Sequence, residues 1–179
     1  MAAKILPDVE LLRQIFHYDP ETGLLTNKSR PKNMFPSELT WKAWTTRFAG
    51  TPVTKNAKNR IDVSISGVSY LGHRIAYKMF HGIEPPPVLD HINMIKTDNR
   101  ISNLRPASYS QNACNKRKQS NNKVGAKGVS FDKYTRRYAA NIAINKQQIH
   151  LGRFDTVEEA VAAYERAAAI YHGDFARTN

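Results

Sequence analysis

The chain has 179 residues, enough for one ordinary domain or two small ones, and an apolar share of 41% excludes global disorder. No apolar run approaches a membrane span, and the first residues, MAAKILPDVELLRQIF, lack the long apolar stretch and small-residue cleavage site of a secretory signal. One cysteine, Cys114, rules out an internal disulfide or a Cys-rich zinc site and points to a reducing, cytoplasmic setting.

Near the N-terminus, Asp8 is placed to cap a short helix, VELLRQIF, with Val9, Leu12, Ile15 and Phe16 on one side. DPETG at 19–23 is a turn, and the LLT that follows is a short strand. Residues 28–50 read as irregular, with Trp41 and Trp44 covering a core. RIDVSISGVSYLGHR alternates around Gly67 as two strands joined by a tight turn. HRIAYKMFHG is helical, with Ile75, Met79 and Phe80 inward and Gly82 as its stop. His73 and His81 lie too far apart on that helix to share a metal, so both are read as structural.

PVLDHIN is an extended piece. TDNRISNLR is a loop leading into a second one near Ile101 to Arg105, which Pro106 ends. SYSQNACNKRK starts a helix from Ser108 or Ser110, and QSNNKVGAK reads as a linker. From Gly128 the period becomes two: GVSF, YAANIAIN and QIHLGRF are strand-like. TVEEAVAAYERAAAIYHG is the strongest helix, capped by Thr156 and followed by Gly173, with Ala160, Ala163, Tyr164, Ala167 and Ala168 as a narrow face for packing on a sheet. Along the second strand Tyr138, Ala140, Ile142 and Ile144 should meet the helix, while Arg137, Ala139, Asn141 and Ala143 face away. On the third strand Ile149 and Leu151 should face in, and Gln148 and His150 out.

The 27 basic and 15 acidic residues give a net charge of +12. Residues 112–153 hold ten bases against one acid, +9 of that total, and the sign reverses after Arg153. A basic stretch so concentrated is the footprint of a polyanion binder.

The segment LDHINMIKTDNRISNLRPASYSQNACNKRK (89–118) carries chemistry. A β-hairpin followed by a helix, with Asp-His on the first strand and Asn on the helix, can assemble a single-metal site. Phosphodiester cleavage needs a nucleophilic water, a base and positive charge at the leaving oxygen. His91 suits the base, its ordinary pKa being near working pH. Asp90 and Asn112 offer hard oxygens suited to one Mg²⁺ or Mn²⁺ ion. Asn103 can hydrogen-bond across the hairpin and hold the His91 loop.

Asp90, His91, Asp98, Asn99, Asn103, Leu104, Arg105, Gln111 and Asn112 closely resemble the HNH nuclease motif in the form of bacteriophage and intron-encoded homing endonucleases, where Asn replaces the last His. YDPETG and YLGHRIAYKMFHG are similar to the leader of such proteins. The resemblance implies a ββα-metal core at about 86–116, with His91 as general base, Asn103 as orienting residue and Asp90 with Asn112 as metal ligands. Asn99, Asn115 and Lys116 take supporting or phosphate-contacting places.

Residues 127–179, through GVSF, RRYAANI, HLGRFDTVEEAVAAYERAA and GDFARTN, resemble the Apetala/ethylene-response-factor type DNA-binding domain, which lays a three-stranded sheet in the major groove. Ser130 stands where the plant form has Arg, Tyr134, Tyr138 and His150 where it has tryptophans, and Ala143 where it has another Arg.

The expectation is therefore an α+β chain: a nuclease domain over 1–116, a basic linker over 117–126 and a DNA-binding domain over 127–179. It would be a metal-dependent, site-directed endonuclease on double-stranded DNA, a monomer on DNA or a weak homodimer, working in a bacterial or phage-infected cytoplasm. The DNA contacts expected are Arg105, Lys116, Arg117, Lys118, Lys133, Arg136, Arg137, Asn141, Gln148 and His150. The alternatives are a non-catalytic DNA-binding regulator and a broad-specificity DNA-degrading nuclease.

Overall fold

The computed structural model describes residues 4–115, 122–144 and 147–176. It is α+β throughout, and it divides into two compact units, Met1–Pro106 and Ala107–Asn179.

The first unit is built of helices and two-stranded hairpins. α1 (Val9–Ile15) starts at Asp8, whose carboxylate accepts from Glu10 N. It runs directly into β1 (Phe16–Tyr18), which pairs antiparallel with β2 (Leu25–Asn27) across the 19–23 turn. β3 (Asp62–Ile65) and β4 (Val68–Leu71) form a second hairpin through Ser66 and Gly67, both left-handed. α3 (Gly72–His81) follows and ends on left-handed Gly82. Leu12, Ile15, Phe16, Leu25, Val63, Ile65, Ile75 and Met79 close one core, with Leu6 at its edge. Burial of such side chains is worth roughly 1.5–3 kcal/mol each. Phe80, expected to face inward, is 49% exposed. Met79 and Ile75 already fill the inner stripe, so Phe80 falls on the outer side of the helix.

Residues 28–50 are not irregular. A 3-10 turn (Lys32–Met34) precedes α2 (Glu38–Phe48), which buries none of its residues. Two local devices hold it: a capping box between Ser37 and Thr40, and a ring stack in which Trp44 meets Phe35 and Phe48 while the Arg30 guanidinium lies 4.4 Å from the Trp44 ring. Trp41 Nε1 donates to Arg30 O at 2.8 Å.

β5 (Leu89–His91) and β6 (Leu104–Pro106) make the last hairpin of this unit, in the register Leu89↔Pro106, Asp90↔Arg105 and His91↔Leu104. Arg74 explains how the proline run before β5 is placed: its Nη1 and Nη2 donate to Pro86 O and Pro85 O at 2.7 and 3.1 Å. A guanidinium carries only donors, so when buried it needs acceptors, and the two proline carbonyls supply them.

The second unit opens with α4 (Tyr109–Cys114), capped by Ser108 and Gln111 in a reciprocal box. A three-stranded antiparallel sheet follows, β7 (Val129–Asp132), β8 (Arg137–Ile144) and β9 (Gln147–Phe154), and packs on α5 (Val157–His172). Ala140 and Ile142 bury against Ala160, Tyr164, Ala167 and Ala168, with Tyr138, Ile144 and Ala163 packed at the margin. A bulge at Ala140/Asn141 shifts the β8–β9 register, pairing Asn141 with His150. Ile149, expected inside, pairs with buried Ile142 yet is 38% exposed. Residues 122–127 pack as well as connect: Val124 and Ala126 lie on the core, and Asn122 Oδ1 accepts from Val124 N and Gly125 N. At the far end of α5, His172 Nδ1 lies 3.3 Å from Cys114 Sγ, and Lys127 Nζ donates to Cys114 O, so α4 belongs to this unit. Among the described residues no helix is long and apolar enough to cross a membrane.

Gly128 shows how tight this packing is. Its φ is +72°, and a Cβ there would overlap the edge of the Tyr164 ring and stand 2.6 Å from Asn141 O. Left-handed backbone costs an L-residue about 1–2 kcal/mol, and forced overpacking about 1–3 more. Gly128→Ala should therefore speed hydrogen exchange in β7–β9 and α5 while α1 and α3 keep their protection. Unchanged exchange in β8 would contradict this.

Candidate active site

Successive strand residues face opposite ways, and β5 uses this to separate two polar side chains. Asp90 meets its cross-strand partner Arg105, whose Nε and Nη2 donate to Asp90 Oδ2 at 3.1 and 3.0 Å. His91 turns the other way, towards Asn99 and His73. Both are buried, Asp90 to 5% exposure and His91 to 8%. A carboxylate so far from water needs a countercharge, and Arg105 supplies it. Arg105, one of the expected DNA contacts, is largely buried and pairs with Asp90.

The loop from Ile92 to Asn103 is held by side chains that bond its backbone. Asn103 is buried; its Oδ1 accepts from Asn93 N at 3.0 Å, and its Nδ2 donates to Asn93 Oδ1 at 3.0 Å and Asp98 O at 2.8 Å. Its own carbonyl accepts from Ile92 N at 2.9 Å. Asn103 thus ties both limbs of the loop together. Asp98 takes a bond from Asn93 Nδ2 and pairs with Arg100 at 2.6 Å. The Arg100 guanidinium, with the Asn93 amide, holds the Asp98 carboxyl at about 2. Met94, left-handed at φ +60°, lets the chain turn back so that its N–H donates to His91 O.

His91 has two neighbours that pattern reading undervalued. Its Nε2 lies 3.1 Å from Asn99 Oδ1. The His73 ring, from the first turn of α3, stands edge-on to it with centroids 5.0 Å apart. Burial, with His91, Arg74 and Arg60 nearby, holds His73 down to about 3. At ordinary pH the ring that packs against His91 is therefore neutral. His73 was read as structural because no metal partner lies in helical reach. Only the fold, bringing α3 onto β5, reveals its place.

Asn112 lies on α4, partly buried, in the second unit. Asn115, next to the helix end, is buried at 5% exposure. In the second unit the outer face of the sheet carries Arg137, Asn141, Gln148 and His150. Arg137 pairs with Asp155 at 2.7 Å, and His150 Nδ1 lies 3.0 Å from Asn141 Oδ1. Lys133 and Arg136 are exposed in the β7–β8 turn. Lys116, Arg117 and Lys118 lie outside the described residues.

Among the described residues no three His, Cys, Asp or Glu side chains converge as a metal cluster. A buried carboxylate such as Asp90 fits Mg²⁺, which is commonly bound by one or two carboxylates together with water and substrate phosphate.

A curated protein of Acanthamoeba polyphaga mimivirus, described as an uncharacterized HNH endonuclease, is 33% identical to the chain over 109 residues, 60% of this chain and 56% of that protein. The chain thus spans little more than half the length of that relative. The segment that carries α3, the His91 hairpin and α4, residues 70–114, matches the HNH endonuclease family.

Proposed function

We propose that the chain is a metal-dependent, site-directed endonuclease that hydrolyses phosphodiester bonds in double-stranded DNA, nicking as a monomer. The observation that carries this reading is the buried Asp90–His91 pair on a hairpin whose loop Asn103 locks, inside the segment that matches the HNH endonuclease family.

His91 takes a proton from the attacking water as that water's oxygen bonds to phosphorus and the bond from phosphorus to the leaving oxygen breaks, the leaving oxygen then taking a proton from solvent. Neutral imidazole is the right base for this work near neutral pH. Asn103 keeps the loop from opening, so the imidazole need not be reorganised when DNA arrives. Asp90 would hold Mg²⁺ or Mn²⁺, with Asn112 as the second oxygen donor that the resemblance implies. When bound, such an ion supplies positive charge at the leaving oxygen and the scissile phosphate. Arg105 balances the Asp90 charge and keeps the carboxylate fixed.

The second unit would bind the duplex. Its support is the one-sided charge of residues 112–153 and a sheet face on which Arg137, Asn141, Gln148 and His150 stand away from the helix. Lys133 and Arg136 would pin phosphates, while Asn141 or Gln148 could read base edges. The sheet-on-helix architecture is the one the Apetala/ethylene-response-factor resemblance implies.

Asp90→Asn should raise the Mg²⁺ concentration for half-maximal nicking by at least about 10-fold, with duplex binding retained. An unchanged Mg²⁺ dependence would remove Asp90 from the metal. Digestion of long DNA then separates site-directed cutting, which leaves discrete fragments, from broad degradation, which leaves a smear.

A further inference from the structure

We propose that Asn99 is the positioning residue for His91, accepting from His91 Nε2–H and so leaving the basic lone pair on Nδ1, and that the Tyr18–Gly23 turn is the buttress that holds Asn99 there. The proposal rests on the assignment of His91 as general base and deepens it.

Asn99 is 2% exposed, among the most buried side chains of the protein. A buried amide must find partners, and its Oδ1 lies 3.1 Å from His91 Nε2. A carbonyl oxygen only accepts, so the imidazole nitrogen facing it must carry the proton. In a neutral ring one nitrogen donates and the other accepts, which puts the lone pair on Nδ1. Asn103, by contrast, bonds Asn93 and Asp98 and shapes the loop. The two asparagines therefore divide the work: Asn103 closes the loop and Asn99 sets the ring.

What holds Asn99 comes from far away in the sequence. Tyr18 OH donates to Asn99 O at 2.7 Å across 81 residues. Burial first, and then the charges of Asp19, Asp98 and Glu21, push the Tyr18 phenol up, so it remains a donor at any working pH. Ile101 N donates to Pro20 O at 3.1 Å. The turn itself is stiff, because the Asp19 carboxylate accepts from Glu21 N, Thr22 N and Thr22 Oγ1. Gly23, at φ +73°, lies flat on the Asn99–Arg100 peptide: a Cβ there would stand 2.6 Å from Asn99 C and closer still to Arg100 N. This gives DPETG a function that a simple surface turn would not need.

The test uses the full chain labelled with ¹⁵N-histidine, at mildly alkaline pH and without DNA, with His91→Gln to assign the His91 signals. Wild type should show His91 protonated at Nε2 and bare at Nδ1. Asn99→Leu, which removes the acceptor, should give mixed tautomers and lower kcat by about 10- to 100-fold with KM little changed. Asn99→Asp, which keeps an acceptor oxygen, should restore the Nε2–H tautomer. Tyr18→Phe, which retains the ring, should shift the tautomer ratio in the same direction as Asn99→Leu and guards against a leucine variant that fails to fold. A wild-type His91 protonated at Nδ1 would overturn the proposal, as would a folded Asn99→Leu protein with wild-type tautomer and rate. Absence of any DNA cleavage by wild type would instead overturn the nuclease reading, while the tautomer measurement still decides the role of Asn99.

Discussion

His91→Ala should lower the nicking rate by roughly 10²- to 10⁴-fold, the usual contribution of a positioned general base, while duplex binding stays close to wild type. The separation follows from where the charges lie. His91 is 8% exposed, on the His73 side of its hairpin, and the basic excess is concentrated beyond residue 112. Removing the imidazole leaves Asp90–Arg105 on the opposite face of β5 and leaves the Asn103 bonds intact, so the loop should keep its shape. Circular dichroism would confirm that the variant is folded, and single-turnover kinetics would isolate the bond-breaking step. Near-normal cleavage would mean that another group takes the proton.

The second large effect concerns binding. Lys133, Arg136 and Arg137 cluster at the β7–β8 turn and are exposed. If each neutralises one phosphate, replacing all three by Gln should flatten the slope of log K against log salt by about 0.9 per contact, about 2.7 in all. Arg137 already pairs with Asp155, an exposed pair of little intrinsic worth that DNA phosphate can displace. The triple variant should bind weakly even at low salt, yet at saturating enzyme its rate of bond breaking should match wild type. A salt slope identical to that of wild type would show that the basic turn is a solvated face and not a DNA contact.

The candidate site stood out in the sequence because its residue types are unusual for a loop. The hairpin, the caps at Asp8, Ser108 and Thr156, and the inner face of β8 could all be read from local pattern. What escaped reading lacks a local signal. α2 has no buried stripe, so periodicity could not find it; a capping box and a ring stack hold it instead. Tyr18 and Asn99 meet across 81 residues, and neither residue advertises the other. The Asp90–Arg105 pair was within reach: once 89–91 and 104–106 are taken as an antiparallel hairpin, register alone sets them opposite. Asn141 and His150 are the opposite case, since the bulge at Ala140/Asn141 brings them opposite each other and no periodicity announces a bulge.

Supercoiled plasmid incubated with the purified full chain in Mg²⁺, with and without excess chelator, tests the central claim most directly. Metal-dependent hydrolysis through the Asp90–His91 hairpin predicts conversion to open circles in Mg²⁺ or Mn²⁺, none in chelator, and recovery when the metal is returned. Plasmid left intact in Mg²⁺ by folded, DNA-bound protein, or nicked at full rate in chelator, would contradict it.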